Sequence, residues 1–260
     1  MGDDLIVVGG GPAGLATALH AAEYGLRPLI VEPRVGVIDK ACGEGIMPAG
    51  VAELQALDAC PTAAWPLRGI RYLGAGQQAE ACFANGQGLG IRRSVLHAEL
   101  LGRARASGLP RVVGKVHRVC PDALGVTVHL DSGEVRRSSW LVAADGLHSR
   151  LRRDLGLELA PRWPRRYGMR QHFCIAPWSE FVEVHWSPRA EAYVTPVGPD
   201  CVGVAILGRG HQSYPALLAE FPGLAARLVS PCTAVAGGGP FEQRVRRRVV
   251  GRVLLVGDAA

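Results

Sequence analysis

Six residues, Gly9-Gly10-Gly11-Pro12-Ala13-Gly14, constrain what this chain folds into more than any other feature. They spell G-x-G-x-x-G between an apolar run, Leu5 to Val8, and a stretch in which Leu15, Ala18, Leu19 and Ala22 recur at helical spacing. A continuous apolar run ending in glycines suits a strand buried on both faces of a parallel sheet. Gly25 stops the helix, and Leu29 to Val31 reads as a second strand ending at Glu32. In such a β-α-β unit Gly9 permits the tight turn, Gly11 lets a pyrophosphate approach the backbone, and Gly14 lets the helix pack on the strand. Pro12 and Ala13 open the helix whose N-terminal N–H groups face the anion. Glu32, about 20 residues on, stands where a carboxylate holds ribose hydroxyls. Its charge argues against a ribose phosphate, because like charges repel. The unit alone does not separate FAD from NAD.

A chain of 260 residues, 48% hydrophobic, is long enough for one large domain or two smaller ones. Its apolar runs, such as Leu5 to Val8 and Val253 to Val256, are too short to cross a bilayer, and no secretion signal opens it. A cytoplasmic protein without stable membrane insertion is expected. The seven cysteines (Cys42, Cys60, Cys82, Cys120, Cys174, Cys201, Cys232) are scattered and never fall in the close pairs of a zinc or redox motif. Free thiols and no metal site follow. The net charge of +6 is almost all arginine, Lys40 and Lys115 being the only lysines. That surplus suits a nucleic acid or the phosphates of a dinucleotide equally. With no aromatic-rich RNA motif and no helix-turn-helix pattern, a small-molecule substrate is expected and a nucleic-acid partner is not.

Two strand-like stretches between Arg68 and Phe83 flank Gly74-Ala75-Gly76, and Ser94 is placed to cap a helix running to about Ala106. From Lys115 to Arg137 the pattern is β, with Asp131-Ser132-Gly133 as a hairpin turn, and Trp140 to Ala143 is another buried strand. Residues 166 to 208 alternate in hydrophobicity between Pro and Gly turns, which predicts an antiparallel sheet inserted into an α/β chain. A helical stretch follows from Tyr214 to Leu228, restarted at Pro222, and a final strand at Val253 to Val256. The expected division is a dinucleotide-binding domain over 1–165, rejoined by 245–260, and an antiparallel sheet with a helix over 166–244.

Three further motifs separate the cofactors. Asp145, Gly146, Ser149 and Arg152 give D-G-x-x-S-x-x-R after a buried strand. Read locally, an Asp-Gly turn followed by Ser caps a surface helix. Arg252 to Ala260 gives a strand followed by Gly257-Asp258-Ala259, and Arg93, Leu96 and Leu100 give R-x-x-L-x-x-x-L. Together with the glycine loop, and in this order, they resemble the flavoprotein monooxygenases of the p-hydroxybenzoate hydroxylase type and the geranylgeranyl reductases. The resemblance implies a Rossmann-like, GR2-type FAD-binding domain with a parallel sheet, plus an inserted antiparallel sheet that forms the substrate pocket. It further implies Asp145 and Gly146 near the flavin pyrophosphate and the nicotinamide path, Gly257 and Asp258 at the ribityl chain, and Arg93 and Arg34 along the cofactor. Arg34 is otherwise a solvated arginine. Cys42-Gly43-Glu44-Gly45 resembles the C-G-x-G loop of prenyl-chain reductases, which reaches toward the flavin ring. Cys42 is thus the one candidate catalytic residue, and a buried structural cysteine is the alternative.

The resemblance implies FAD as the held cofactor and NAD(P)H as electron donor. The leading expectation is a monooxygenase hydroxylating an aromatic or polyketide-like substrate; the others are a reductase of prenyl double bonds and a non-catalytic FAD-binding fragment. The halogenase signature Gly-Trp-x-Trp-x-Ile-Pro is absent, the nearest stretch being Tyr193-Val194-Thr195-Pro196-Val197-Gly198. Phe173, Trp178, Trp186 and Tyr193 are expected in a core, with a pocket wall as the alternative. In the family a helix follows G-D-A directly, whereas this sequence stops at Ala260. Weak FAD retention and poor solubility of the chain alone are expected from that.

Overall fold

The computed structural model describes residues 3–260. They form two compact units, one holding the residues up to Ile38 with His97–Arg162 and Gln243–Ala260, the other Asp39–Leu96 with Trp163–Glu242.

The first unit is built on the apolar run at the N-terminus. Strand Asp3–Val8 pairs in parallel with Pro28–Val31 on one side and Val135–Ala143 on the other. Val253–Leu255 adds beyond Val135–Ala143 and Arg111–Val112 beyond Pro28–Val31, again in parallel. Ile6, Val8, Leu29, Val31, Leu141 and Ala143 are buried together, as continuous apolar strands require when both sheet faces are covered. Val126–Leu130 and Val116–Pro121 attach as an antiparallel extension through the Asp131-Ser132-Gly133 turn. The chain leaves Asp3–Val8 to one side first and builds on the other side later. Open α/β sheets bind ligands at that switch point, outside the carboxyl ends of the strands.

The second unit is a seven-stranded sheet with a small three-stranded one. Arg166–Phe173, Cys201–Arg209, Ala190–Gly198 and Phe181–Trp186 form its antiparallel core. One face, with Phe173, Ala192, Val194, Val204 and Ile206, is covered by the short helices Tyr214–Leu218 and Pro222–Ala225. Strand alternation sends Arg170, His172, Val182, Val184, Tyr193 and Thr195 to the opposite face.

Three local features differ from the expectation. Residues 39–96 belong to the second unit rather than the first, because Gly69–Gly74 pairs in parallel with Phe181–Trp186 and carries Gln77–Cys82 with it. The helix expected from Ser94 begins at Arg93, since the first N–H is taken by a carboxylate from a distant loop, Glu44 Oε1 (2.9 Å). The helical stretch expected from Tyr214 to Leu228 restarts at Pro222 as expected but is shorter, its two helices being Tyr214–Leu218 and Pro222–Ala225. Among the described residues no helix is long and apolar enough to cross a membrane.

Candidate cofactor and substrate sites

The motifs of the first unit converge because they end neighbouring parallel strands. Gly9 follows Val8, Glu32 follows Val31, Asp145 lies just beyond Ala143, and Gly257 just beyond Leu255. The glycines are sterically enforced. Gly9 has φ +112°, and a Cβ there would stand 2.2 Å from Ala144 O; one on Gly14 would stand 1.9 Å from Gly9 O. Gly257, at φ +60°, turns against the start of the first helix, where a Cβ would come within 2.7 Å of Ala13 Cβ. Gly11 is the exception, with nothing within 4 Å of the position its Cβ would take. It precedes Pro12, the first residue of helix Pro12–Glu23, with no side chain capping that helix. The helix N-terminus thus opens onto free space with its backbone donors unscreened, the condition for receiving an anion.

Glu32 is 1% exposed and organises the loop. Its Oε2 accepts from Gly10 N–H (2.7 Å), and its carboxylate takes the Arg34 backbone N–H (3.0 Å), Nε (2.7 Å) and Nη2 (3.0 Å). Burial acts to raise its pKa, but the hydrogen bonds of Arg34 and of the Gly10 and Arg34 backbones outweigh it and hold the carboxyl below its ordinary value. Four donors fill the four acceptor sites of the carboxylate. A ribose hydroxyl at Glu32 must displace one, and the half-exposed Arg34 side chain is the member that solvent reaches. Across the loop, buried His97 places Nε2 2.7 Å from Gly10 O and accepts from Ile38 N–H at Nδ1 (3.2 Å). That pair of contacts selects the neutral tautomer protonated on Nε2.

The second and third motifs are joined by Arg152. This buried guanidinium donates to Leu147 O (2.9 Å), Asp258 O (3.2 Å), Ala259 O (3.4 Å) and Glu158 Oε1 (3.1 Å). Ser149 Oγ accepts from Arg152 N–H (3.0 Å), so the serine is a helix cap, the local reading of the motif, while its arginine clamps the Gly257-Asp258-Ala259 turn. Asp145 accepts from Leu151 N–H through Oδ2 (3.2 Å), and its buried Oδ1 has no partner among the described residues. Gly146 has φ +85° and lets the chain turn there. Asp258 is exposed, its backbone carbonyl being the group that Arg152 holds.

The second unit contains a cavity of about 580 Å³. Ile46, Met47, Ile70, Val182, Val184 and Tyr193 make up much of its wall, and Cys42, Glu44 and Arg93 border it. Trp186 also lines it, whereas Phe173 is buried in the helix-covered core with Trp178 packed against that core. The loop carrying Cys42 is pinned through Glu44, a residue at φ +58° and 6% exposed. Glu44 Oε2 meets His172 Nε2 (2.7 Å), and Oε1 accepts from Arg170 Nη1 (3.1 Å) as well as from Arg93 N–H. Arg170 Nη2 reaches Asp39 (2.9 Å), and Thr195 Oγ1 donates to Gly43 O (2.7 Å). Burial, then the charge of Glu44, push the Cys42 thiol up to about 11. It is a thiol, not a thiolate, at neutral pH. Burial likewise pushes the Tyr193 hydroxyl up to about 12, helped by Glu191.

Residues that sequence reasoning assigned no role, namely Glu44, His97, Arg170 and His172, thus form the supports of both sites. Glu44 and His172 are 128 positions apart, and no local pattern links them. The helical face that contains His97 was legible, but not the polar use of one residue on it.

The family model described as lycopene cyclase protein matches residues 4–173. Digeranylgeranylglycerophospholipid reductase 1 of Methanopyrus kandleri is 30% identical over 99% of this chain and 73% of its own length. A menaquinone reductase of Mycolicibacterium smegmatis is 36% identical over 59% of this chain, and the match covers 40% of that protein. In fold, a halogenase solved with phloroglucinol and FAD superposes with a TM-score of 0.81 at 15% identity, covering 99% of this chain and 64% of the other. With the glycine loop, the Arg152 clamp and the G-D-A turn at one sheet edge, these matches make the chain a member of the lycopene cyclase protein family, among the FAD-dependent oxidoreductases that include geranylgeranyl and menaquinone reductases, flavin monooxygenases and halogenases.

Proposed function

We propose that this chain binds FAD in the first unit and an isoprenoid chain in the second, and that the enzyme saturates carbon–carbon double bonds of that chain with electrons from NAD(P)H. The observation that carries the reading is the apolar cavity bordered by the Cys42 loop. A long hydrocarbon gains about 25 cal/mol for each Å² of its surface removed from water, and walls of Ile, Val and Met supply that without polar cost. The reductase relative aligned over 99% of the chain points the same way.

The residues at the sheet edge fit FAD. The open space at Gly11 admits a pyrophosphate, and the unpartnered Asp145 Oδ1 offers an acceptor to a hydroxyl or N–H of the cofactor. In this reading Gly9, Gly11, Pro12, Ala13 and Gly14 hold the pyrophosphate, Glu32 and Arg34 the adenosine ribose, and Asp145, Gly146, Gly257 and Asp258 the flavin half, with Arg93 beside the cofactor. FAD supplies hydride transfer when bound. The protein's part is to orient the chain, exclude water and hold a proton. Cys42 Sγ carries that proton, because burial keeps the thiol protonated.

The test is turnover under strict anaerobiosis with a geranylgeranyl lipid and reduced nicotinamide. The expected product is heavier by two hydrogens for each double bond saturated. A second reading, hydroxylation of a flat aromatic, is favoured by Tyr72, Trp186 and Tyr193 on the same wall. Turnover that stops without oxygen and yields a hydroxylated phenol would replace the first reading by the second.

A further inference from the structure

The wall of the cavity in the second unit changes character along its strands. The ladder sets Ile70 beside Val182 at one level, Tyr72, Val184 and Tyr193 abreast at the next, and Trp186 beside Glu191 at the third. Residues directly opposite share a sheet face, and each of these lines the cavity. The Cys42 loop sits at the apolar end, where a Cβ on Gly45 would lie 3.4 Å from Val182 Cγ2. Glu191 stands at the other end: Trp186, its ladder partner, is four residues beyond Val182, about 13 Å at about 3.3 Å per residue. Tyr72 and Trp186 are 42% and 51% exposed and mark this end as the mouth, yet Glu191 beside them is only 7% exposed. Glu191 Oε1 accepts from Arg166 Nη1 (2.9 Å), and the Arg166 side chain is half-exposed and stands outside the lining. A molecule in the cavity therefore meets the carboxylate of this ion pair and not its guanidinium.

Resting on the isoprenoid reading above, we propose that Glu191 selects the polar end of the bound chain, and that this end is a neutral hydroxyl rather than a phosphate ester. Arg166 fills one of the four acceptor positions of the carboxylate, which leaves room for a hydroxyl donor. A hydroxyl taken from water needs such a partner, since burying it unpaired is costly. It also brings no charge, so the balance of the Glu191–Arg166 pair is undisturbed. A phosphate ester meets the same carboxylate charge against charge. At an effective dielectric constant of about 20, like charges about 5 Å apart repel by enough to weaken binding at least about tenfold, even after Arg166 offsets part of it. From the hydroxyl the tail runs past Val184 and Val182 to the Cys42 loop, so the group that is recognised and the bond that is saturated lie at opposite ends of the cavity.

The test is equilibrium dialysis of the full chain, with excess FAD and no nicotinamide, against farnesol and separately against farnesyl phosphate, which carry the same tail. Farnesol should bind at least about tenfold more tightly. Glu191→Gln keeps an acceptor and loses the charge, so the gap should shrink to less than about threefold through a gain for the phosphate, with a melting curve to check the fold. Farnesyl phosphate bound as tightly as farnesol, or more tightly, would overturn the inference and leave the isoprenoid reading standing. An unchanged gap in a folded Glu191→Gln would do the same. Binding of neither compound would overturn both. The comparison of the two compounds on the parent chain needs no variant, so it decides the matter even where Glu191→Gln does not fold.

Discussion

Two alanine substitutions three residues apart in the glycine loop, at Gly11 and Gly14, should have opposite consequences. A Cβ on Gly14 would lie 1.9 Å from Gly9 O, so either the helix or the loop must move about 1.5 Å to reach an ordinary contact of 3.4 Å. Overpacking of this kind costs about 1–3 kcal/mol. At about 2–4 °C for each kcal/mol in a domain of this size, Gly14→Ala should melt several degrees early without any ligand. Gly11 has φ −73° and open space around its missing Cβ. Alanine there loses a little as a helix cap and gains a little by restricting the unfolded chain. These offset to within about 1 kcal/mol, and the apo protein should melt as the parent does.

In the proposed FAD site the added methyl group in Gly11→Ala instead occupies the approach of the pyrophosphate. Losing one charge-assisted hydrogen bond from the loop backbone is worth about 1.5–3 kcal/mol, roughly a tenfold to hundredfold weaker FAD affinity. Thermal melts of the apo variants and FAD titrations followed by flavin fluorescence check both halves. The reasoning is refuted if Gly11→Ala melts as early as Gly14→Ala, or if it binds FAD as tightly as the parent.

Arg152→Met takes the donor away from three carbonyls, a loss of about 1–3 kcal/mol for an acceptor that stays buried, so it should lower the melting temperature and expose the Gly257-Asp258-Ala259 turn to faster amide exchange; unchanged exchange there would show that the turn holds without the clamp. Because the Glu32 carboxyl is held below its ordinary value of 4.5, its stabilisation is complete above that pH and disappears as pH falls through the lowered value. Glu32→Gln should remove that part of the acid transition in a denaturation series. Glu44→Gln should lower the Cys42 pKa from about 11 only in part, because burial is the larger cause and the charge of Glu44 the second. The pH dependence of Cys42 alkylation reads this directly.

Much of the cofactor half was legible because each of its parts is local. Gly9, Gly14 and Glu32 act within one β-α-β unit, where strand burial and helix packing dictate residue size over a span of about 20 positions. The D-G-x-x-S-x-x-R segment was legible as a helix cap for the same reason, since Ser149 acts three residues from its own position. Its arginine was not, because Arg152 Nη1 reaches carbonyls more than a hundred positions away. The same limit explains the boundary at residue 39. Strand Gly69–Gly74 looks like any other, and only its pairing partner Phe181–Trp186 assigns it to the second unit.

By itself the sequence determined that the chain holds a parallel α/β unit with a dinucleotide loop and an inserted antiparallel sheet, because periodicity and glycine placement are properties of neighbouring residues. The tertiary structure alone decided what stands behind those elements. Glu44 pins the Cys42 loop through His172 and Arg170, and Arg152 ties two motifs into one edge. Each of these contacts joins residues far apart in the chain, and its energy comes from burial and paired charge that exist only once the sheets have closed.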